Sequence, residues 1–367
     1  MHHLIEPVAR DHLIEAASDV GTIHAQVGAS SELMLGLRVA KISRHDIREA
    51  IWYRRTLVKT VGLRGTLHLI PAGEVPTWMA ANRLRFPAEE RRYAGLGMNI
   101  ANLRRLADAI AEIVGPEPIT RPDLERALHA RVGDMATTRN QAWSGKFPNW
   151  PLAMAWAAAE GRVCYGPGLG GRATYVRLAD WAVWRDEDPM RAGVFVLRRF
   201  LRAYAPSTVA EFARWFALEP ALAKELFARL APEVEEVSVE GSRRFMLATD
   251  ADQVEATYPK HVALVPQFDV FVVGAHPRDQ LMPAGSPLAE LRMGTAAPFN
   301  VLLLGGRVAG VWDRKPKGSS LMIRVDAHVD LTKPQRDALA GCAARIGEII
   351  GAKGELEFGP VPLRRHL

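Results

Sequence analysis

The chain has 367 residues, 47 Lys and Arg against 41 Asp and Glu, a formal net charge of +6, and 48% hydrophobic residues. Those proportions are those of a globular protein with two to four domains at roughly 100–200 residues each, and they exclude disordered, collagen-like and mucin-like chains. No apolar run reaches the ~18 residues of a membrane-spanning helix, and MHHLIEPVARDHLIEAA lacks the apolar core and cleavage site of a signal peptide. Two cysteines, Cys164 and Cys342, are too few for a disulfide framework or a Cys-ligated metal centre. A soluble cytoplasmic protein is therefore expected, with no metal and no cofactor. Only nine of the 47 basic residues are Lys, leaving 38 Arg. Abundant Ala and Gly alongside them point to a GC-rich bacterial genome, and Arg also suits phosphates and base edges.

In chain order, Val8–Ala17 and Ser31–Val39 have the apolar spacing of helices. A third helix runs from about Ser43 to Arg54, with Ser43 and Asp46 as a capping pair. Leu57–Ile70 then alternates apolar and polar residues, and Gly62 and Gly65 allow it to turn. A second block has helices at Leu103–Val114, after Thr120–Asp123, and at Trp150–Gly161; a hairpin at Arg162–Leu178 turns on GPGLGG. A third block has helices at Met190–Ala205, Phe212–Phe216 and Ala221–Leu230, and a hairpin at Val234–Leu247. Three helices closed by a two-stranded hairpin is the winged-helix plan. Beyond about residue 258, HVALVPQFDVFVVG, FNVLLLGGRVAGVWDRK and SSLMIRVDAHVDL read as strands, Lys333–Ile350 as a helix, and GELEFGPV as a last strand.

The expected fold class is α+β, with tandem winged-helix repeats and a C-terminal strand-rich, partial-barrel domain. The expected domains are residues 1–98, carrying the first winged helix and the catalytic segment, 99–184 and 185–258 for the second and third winged helices, and 259–367 for the β-rich domain.

The sequence contains no P-loop, G-x-S-x-G or H-E-x-x-H motif, and Gly166–Gly171 does not open a helix as a dinucleotide fingerprint must. Gly21-Thr-Ile-His-Ala-Gln-Val-Gly28 lies between two predicted helices. In an extended backbone, His24 and Gln26 share a side while Ala25 points inward. In a helix they stand about 200° apart and cannot act together. On the residues alone they read as two polar loop positions. Trp143, Trp150 and Trp156 surround a loop holding Lys146, a pattern that serves base stacking in some proteins but more often a core. His2 and His3 read as an unstructured end.

Five segments together resemble the AlkZ/YcaQ-type family of bacterial DNA glycosylases. GTIHAQVGASSELMLGLRV falls where that family carries a catalytic Q-Φ-Q or Q-Φ-D motif, with His24 in place of the first Gln. LVKTVGLRGTLHLIPAGEVP is similar to its R-G-T-L-H-L-V wing and following helix. APSTVAEFARWFAL resembles the opening of its third winged helix. LVPQFDVFVVGAHPRDQL and VLLLGGRVAGVWDRK look like its two C-terminal strand motifs. Gln267-Phe268-Asp269 mimics Q-Φ-D but lies in the strand region, and reads as structural.

The resemblance implies a monofunctional glycosylase that excises N7- or N3-alkylated purines, including bulky adducts and interstrand crosslinks, from double-stranded DNA. His24 and Gln26 would be catalytic, and the partner would be damaged duplex DNA met by a monomer, with no membrane involved. Phosphate contacts are expected at Arg38, Arg64, His68, Arg83, Arg85, Arg91, Arg92, Lys146, Lys315 and Lys317. The competing expectations are a non-catalytic winged-helix DNA-binding protein such as a transcriptional regulator, and a family member that binds damage but has lost hydrolysis through His24.

Overall fold

The computed structural model describes residues 2–142, 145–251, 261–276, 278–282 and 299–362, the side chains of 140–142, 145–147 and 278–279 excepted. Along the chain, α1 (Leu13–Asp19) follows a single 3-10 turn, β1 (Ile23–His24) is two residues long, and α2 (Gly28–Gly36) and α3 (Arg44–Trp52) complete a helical run. The hairpin of β2 (Leu57–Val61) and β3 (Leu67–Pro71) closes it. Helices α4 (Val75–Arg83) and α5 (Phe86–Gly95) come next.

The second run consists of α6 (Ile100–Ile113), β4 (Ile119–Thr120), α7 (Arg121–Val132), the β5 (Arg139–Ala142) and β6 (Gly145–Pro148) hairpin, and α8 (Trp150–Ala159). It ends in β7 (Val163–Leu169) and β8 (Arg172–Arg177), with β8 central in a three-stranded sheet between β4 and β7. The third run is α9 (Pro189–Tyr204), α10 (Val209–Phe216) and α11 (Pro220–Leu230), closed by β9 (Val234–Val239) and β10 (Ser242–Leu247). Three helical runs each followed by a β wing realise the winged-helix plan.

Local chemistry starts these helices where the sequence places them. Ser43 and Asp46 bond each other reciprocally at the head of α3. Thr120 accepts from the Asp123 N–H, and Thr208 with Glu211 forms a full capping box. Each such cap satisfies a helix-end donor and contributes about 1 kcal/mol. Two starts differ from expectation. Helix α1 begins at Leu13 rather than Val8, because Arg10–His12 is wound as a 3-10 turn. Helix α2 begins at Gly28, directly after an extended Val27, rather than at Ser31.

The C-terminal region carries β11 (Val262–Val265), a short helix α12 (Val270–Gly274), β12 (Val301–Leu304), β13 (Arg307–Lys317), β14 (Ser320–Ala327), α13 (Lys333–Ile350) and β15 (Lys353–Phe358). Its five strands form one curled half-barrel sheet in the order β11-β12-β13-β14-β15. Neighbours are antiparallel except β14 and β15, which are parallel and joined through α13. Both faces are covered: Ala263, Val265, Val301 and Leu303 enter one apolar cluster, while Val262, Leu264, Leu302 and Trp312 enter another with Leu339, Ala343 and Ile346 of α13. Burial on both faces explains the unbroken apolar run VALV. Helix α13 lies so close to β15 that a Cβ on Gly354 would stand 1.9 Å from the Ala343 carbonyl oxygen.

The expected strand through HVALVPQFDVFVVG is shorter than predicted. It stops at Val265, and Val270–Gly274 is helical. Pro266 has no N–H for a ladder, Phe268 adopts a left-handed φ of 62°, and the Asp269 carboxylate accepts from the Phe271 N–H to start α12.

The chain divides into two compact units. One is Met1–Glu49, Phe200–Ser207 and Glu235–Leu367; the other is Ala50–Arg199 and Thr208–Val234. The first contains the half-barrel. The core of the second includes Leu103, Leu106 and Ile110 of α6, Leu124 and Leu128 of α7, and Trp150, Ala153 and Trp156 of α8. Trp150 and Trp156 are thus core residues, while Trp143 lies outside the described residues. His2 and His3 are not a loose end. The His2 ring meets Tyr204 and Phe271 edge-on at 4.9 and 5.5 Å, and His3 pairs with Asp19 at 2.9 Å. Among the described residues no helix is long and apolar enough to cross a membrane.

Candidate active site

The segment between α1 and α2 is extended where it matters. Ile23–His24 is strand, Ala25 is fully buried, and Gln26 is exposed. The helical arrangement that would separate His24 from Gln26 does not occur; Ile23, His24 and Ala25 are all buried, and Gln26 lies in the bend that follows the strand. His24 itself is 9% exposed, so most of its ring is enclosed by protein.

Phe268 forms one wall of that enclosure, with its ring centroid 5.0 Å from that of His24 and the planes tilted by 34°. The left-handed φ of Phe268 costs roughly 1–2 kcal/mol, so its surroundings must hold it. Asp269 does so from the next position: it is fully buried, and its carboxylate takes two hydrogen bonds from Arg38, at 2.9 and 2.8 Å, as well as the α12 cap. Arg38 Nη1 also donates to the Met34 carbonyl of α2 at 2.8 Å. On the other side, the Gln267 N–H donates to Asn300 Oδ1, Asn300 donates to the Trp312 carbonyl, and the Trp312 indole donates to the Val265 carbonyl. Gln267-Phe268-Asp269 is therefore a structural corner of the half-barrel. Nothing in the sequence identified Phe268 as the neighbour of His24, since 244 positions separate them.

The expected phosphate contacts do not share one environment. Arg38, His68 and Arg85 are buried and internally bonded, which corrects their assignment. Arg38 is 0% exposed and spent on Asp269 and Met34. His68 is 2% exposed, and its Nδ1 lies 3.0 Å from the Thr66 carbonyl. A Cβ on Gly62 would come within 2.8 Å of that ring, so the glycine is what lets His68 pack into the hairpin. Arg85 is 7% exposed and donates to the Gly62 carbonyl and, at 2.6 Å, to Glu89. Burial holds its guanidinium below the ordinary range, against the pull of Glu89. Arg85 and His68 thus brace the β2–β3 turn from beneath, with Arg64 half-buried at the turn in a left-handed conformation.

Arg83 and Arg91 are engaged in ion pairs, with Asp186 and Glu219 respectively. Arg92, Lys315 and Lys317 are exposed, Arg92 lying over the Tyr93 ring. The side chain of Lys146 lies outside the described residues. Among the described residues no group of three or more His, Cys, Asp or Glu side chains could hold a metal ion.

Residues 17–349 match the family model described as "DNA glycosylase AlkZ-like". The chain is 27% identical over 322 residues, 84% of each chain, to an interstrand DNA cross-link repair glycosylase of Streptomyces sahachiroi. Its fold matches the solved structure of Streptomyces sahachiroi DNA glycosylase AlkZ, with a TM-score of 0.77 at 23% identity, over 98% of this chain and 96% of that one. A family match across most of the chain displaces the transcriptional-regulator alternative. The chain belongs to the AlkZ-like family of DNA glycosylases, enzymes that cut the bond between a base and its sugar.

Proposed function

We propose that this glycosylase hydrolyses the N-glycosidic bond of N7- or N3-alkylated purines in duplex DNA, crosslinked adducts included, and that His24 and Gln26 carry the reaction. The observation that bears most weight is the non-helical His24-Ala25-Gln26 segment that follows β1. It buries Ala25, backs the imidazole with Phe268, and leaves the Gln26 amide exposed. The crosslink specificity named for the Streptomyces relative supports the bulky end of this substrate range.

Alkylation at N7 or N3 makes the purine cationic, so it departs without a strong general acid. Positive charge then builds on the deoxyribose as the bond to nitrogen breaks, as in other glycoside hydrolyses. What remains is to deliver water to C1′. The Gln26 amide oxygen accepts one hydrogen bond from that water and fixes its lone pair toward the sugar. The imidazole of His24 takes the proton as the C1′–O bond forms. A base of this kind contributes typically ~10²–10⁴-fold. The Gly21–Gly28 segment carries no lysine, so the turn itself offers no amine to form an imine with the sugar, and an intact abasic strand is the expected product. Base extrusion costs a few kcal/mol and is hardest for bulky adducts. An exposed Gln26 beside a largely enclosed His24 lets the pair meet a lesion that remains partly in the duplex.

The test is incubation with duplex DNA holding a single N7-methylguanine, and separately an N7-linked interstrand crosslink, followed by heating in alkali. Breaks at the lesion in the wild type, lost in His24→Ala and Gln26→Ala, are the expected result. Tight binding with both substrates left intact would return the chain to the binding-only reading.

A further inference from the structure

A second group of charged residues lies one helical turn beyond the catalytic segment and is not explained by folding alone. Helix α2 begins at Gly28, two residues after Gln26, and Glu32 stands four positions further on the same helix face. Glu32 receives both ends of the Arg48 guanidinium, at 2.6 and 3.2 Å, and Nη2 of Arg44 at 3.2 Å. Arg44 and Arg48 are themselves one turn apart on α3. Arg314 of β13 completes the group and lies within electrostatic reach of both Arg44 and Glu32.

Glu32 holds Arg44 and Arg48 at contact distance, while Arg314 has no ion pair with it and feels both Glu32 and Arg44 through space. Two N–H donors are also unanswered: Arg44 Nε and Arg314 Nη1 are buried and have no hydrogen-bond partner among the described residues. Burial, then the Arg44 charge, push the Arg314 guanidinium below its ordinary range, with Glu32 only partly offsetting them. Folding normally places an acceptor opposite such groups, because an unpaired buried donor is costly. A carboxylate that holds two arginines in place while a third remains unmatched is the arrangement of a site completed by an external anion. Arg44 and Arg48 keep 35% and 45% of their side-chain surface exposed, so the cluster is open to solvent.

We infer that Arg44, Arg48 and Arg314, oriented by Glu32, form a binding site for a DNA backbone phosphate close to the nucleotide being excised. This rests on the chain acting on DNA and not on which base it removes. The planar guanidinium forks suit two phosphate oxygens at once. A phosphate held beside Glu32, one helical turn past the start of α2, fixes the strand relative to the turn that carries His24.

The experiment uses the full chain and an undamaged duplex, so its outcome is independent of the lesion. Affinity is measured by fluorescence anisotropy across a salt series for the wild type, Arg44→Gln, Arg314→Gln, Arg314→Lys and Glu32→Gln. Each lost phosphate contact makes the dependence of log affinity on log salt shallower by about 0.9. Arg44→Gln and Arg314→Gln are each expected to show that change, and Arg314→Lys to keep the wild-type slope. Glu32→Gln, which removes the carboxylate that orients Arg44 and Arg48, is expected to weaken binding and make the slope shallower even though it raises the net positive charge. Wild-type slopes in both Gln variants of the arginines, with wild-type thermal unfolding, would overturn the site. Should those variants fail to fold, Glu32→Gln decides alone, and binding equal to or tighter than wild type overturns the site. Protection of the wild type by inorganic phosphate at fixed ionic strength, without any slope change on DNA, would also overturn it.

Discussion

Arg38 and Asp269 are 231 positions apart and meet in a fully buried, two-pronged ion pair with N···O distances of 2.8 and 2.9 Å. The pair joins the end of α2, immediately downstream of the candidate catalytic turn, to the corner of the half-barrel that carries Phe268. Breaking such a pair leaves a lone buried charge, which destabilises by about 3–5 kcal/mol. Arg38→Met and Asp269→Asn are each expected to lose that much in urea unfolding. Arg38→Met combined with Asp269→Leu should recover most of it, short of the lost α12 cap. A strong salt-slope change on DNA for Arg38→Met at unchanged stability would restore Arg38 as a phosphate contact.

Single-turnover kinetics test the catalytic pair. His24→Ala and Gln26→Ala are expected to slow excision by roughly 10²–10⁴-fold while leaving affinity for undamaged DNA near wild type. In the wild type, excision should fall on acidification, because a protonated imidazole can no longer accept the proton from water. His24→Gln should retain measurable turnover and lose that acid limb. An acid limb that persists in His24→Gln would assign the titration to another group.

His2 links stability to pH. Its pKa is lowered from the ordinary 6.5 to about 3 by desolvation and then by the Arg38 charge, against the hydrogen bond to the Ala203 carbonyl. The folded chain therefore refuses a proton that the unfolded chain accepts. The stabilising contribution is complete above about pH 6.5 and is lost as pH falls from there toward 3. Denaturant midpoints should show a loss of about 2 kcal/mol between about pH 7.5 and 5 in the wild type. His2→Phe, which keeps the ring contacts, should remove that loss. Equal pH dependence in both proteins would show that the imidazole does not titrate on unfolding.

Buried and exposed cations should separate cleanly. Arg85→Met is expected to lower thermal stability without changing the salt slope of DNA binding, because its donors are spent on the Gly62 carbonyl and Glu89. Lys315→Ala and Lys317→Ala are expected to leave stability unchanged and make the slope shallower by about 0.9 each. The opposite pattern would mean that the first hairpin opens when DNA binds.

The sequence by itself determined whatever is settled within a few residues. The caps at Ser43, Thr120 and Thr208, the Gly-turned hairpins, the helical spacing of α6 and the apolar strands of the half-barrel all rest on local hydrogen bonding and periodicity. Three helical runs, each closed by a wing, could therefore be read in order. Only the tertiary structure decided which cations are structural. Arg38 and Arg85 have the same side chain as Arg92, yet two are enclosed by carboxylates and carbonyls and the third is exposed. The partner of Arg38, the ring behind His24, and the grouping of Arg314 with Arg44 all join segments more than 200 positions apart. Charge and aromaticity are properties of a residue, but burial and pairing belong to the packed chain, and no local pattern encodes them.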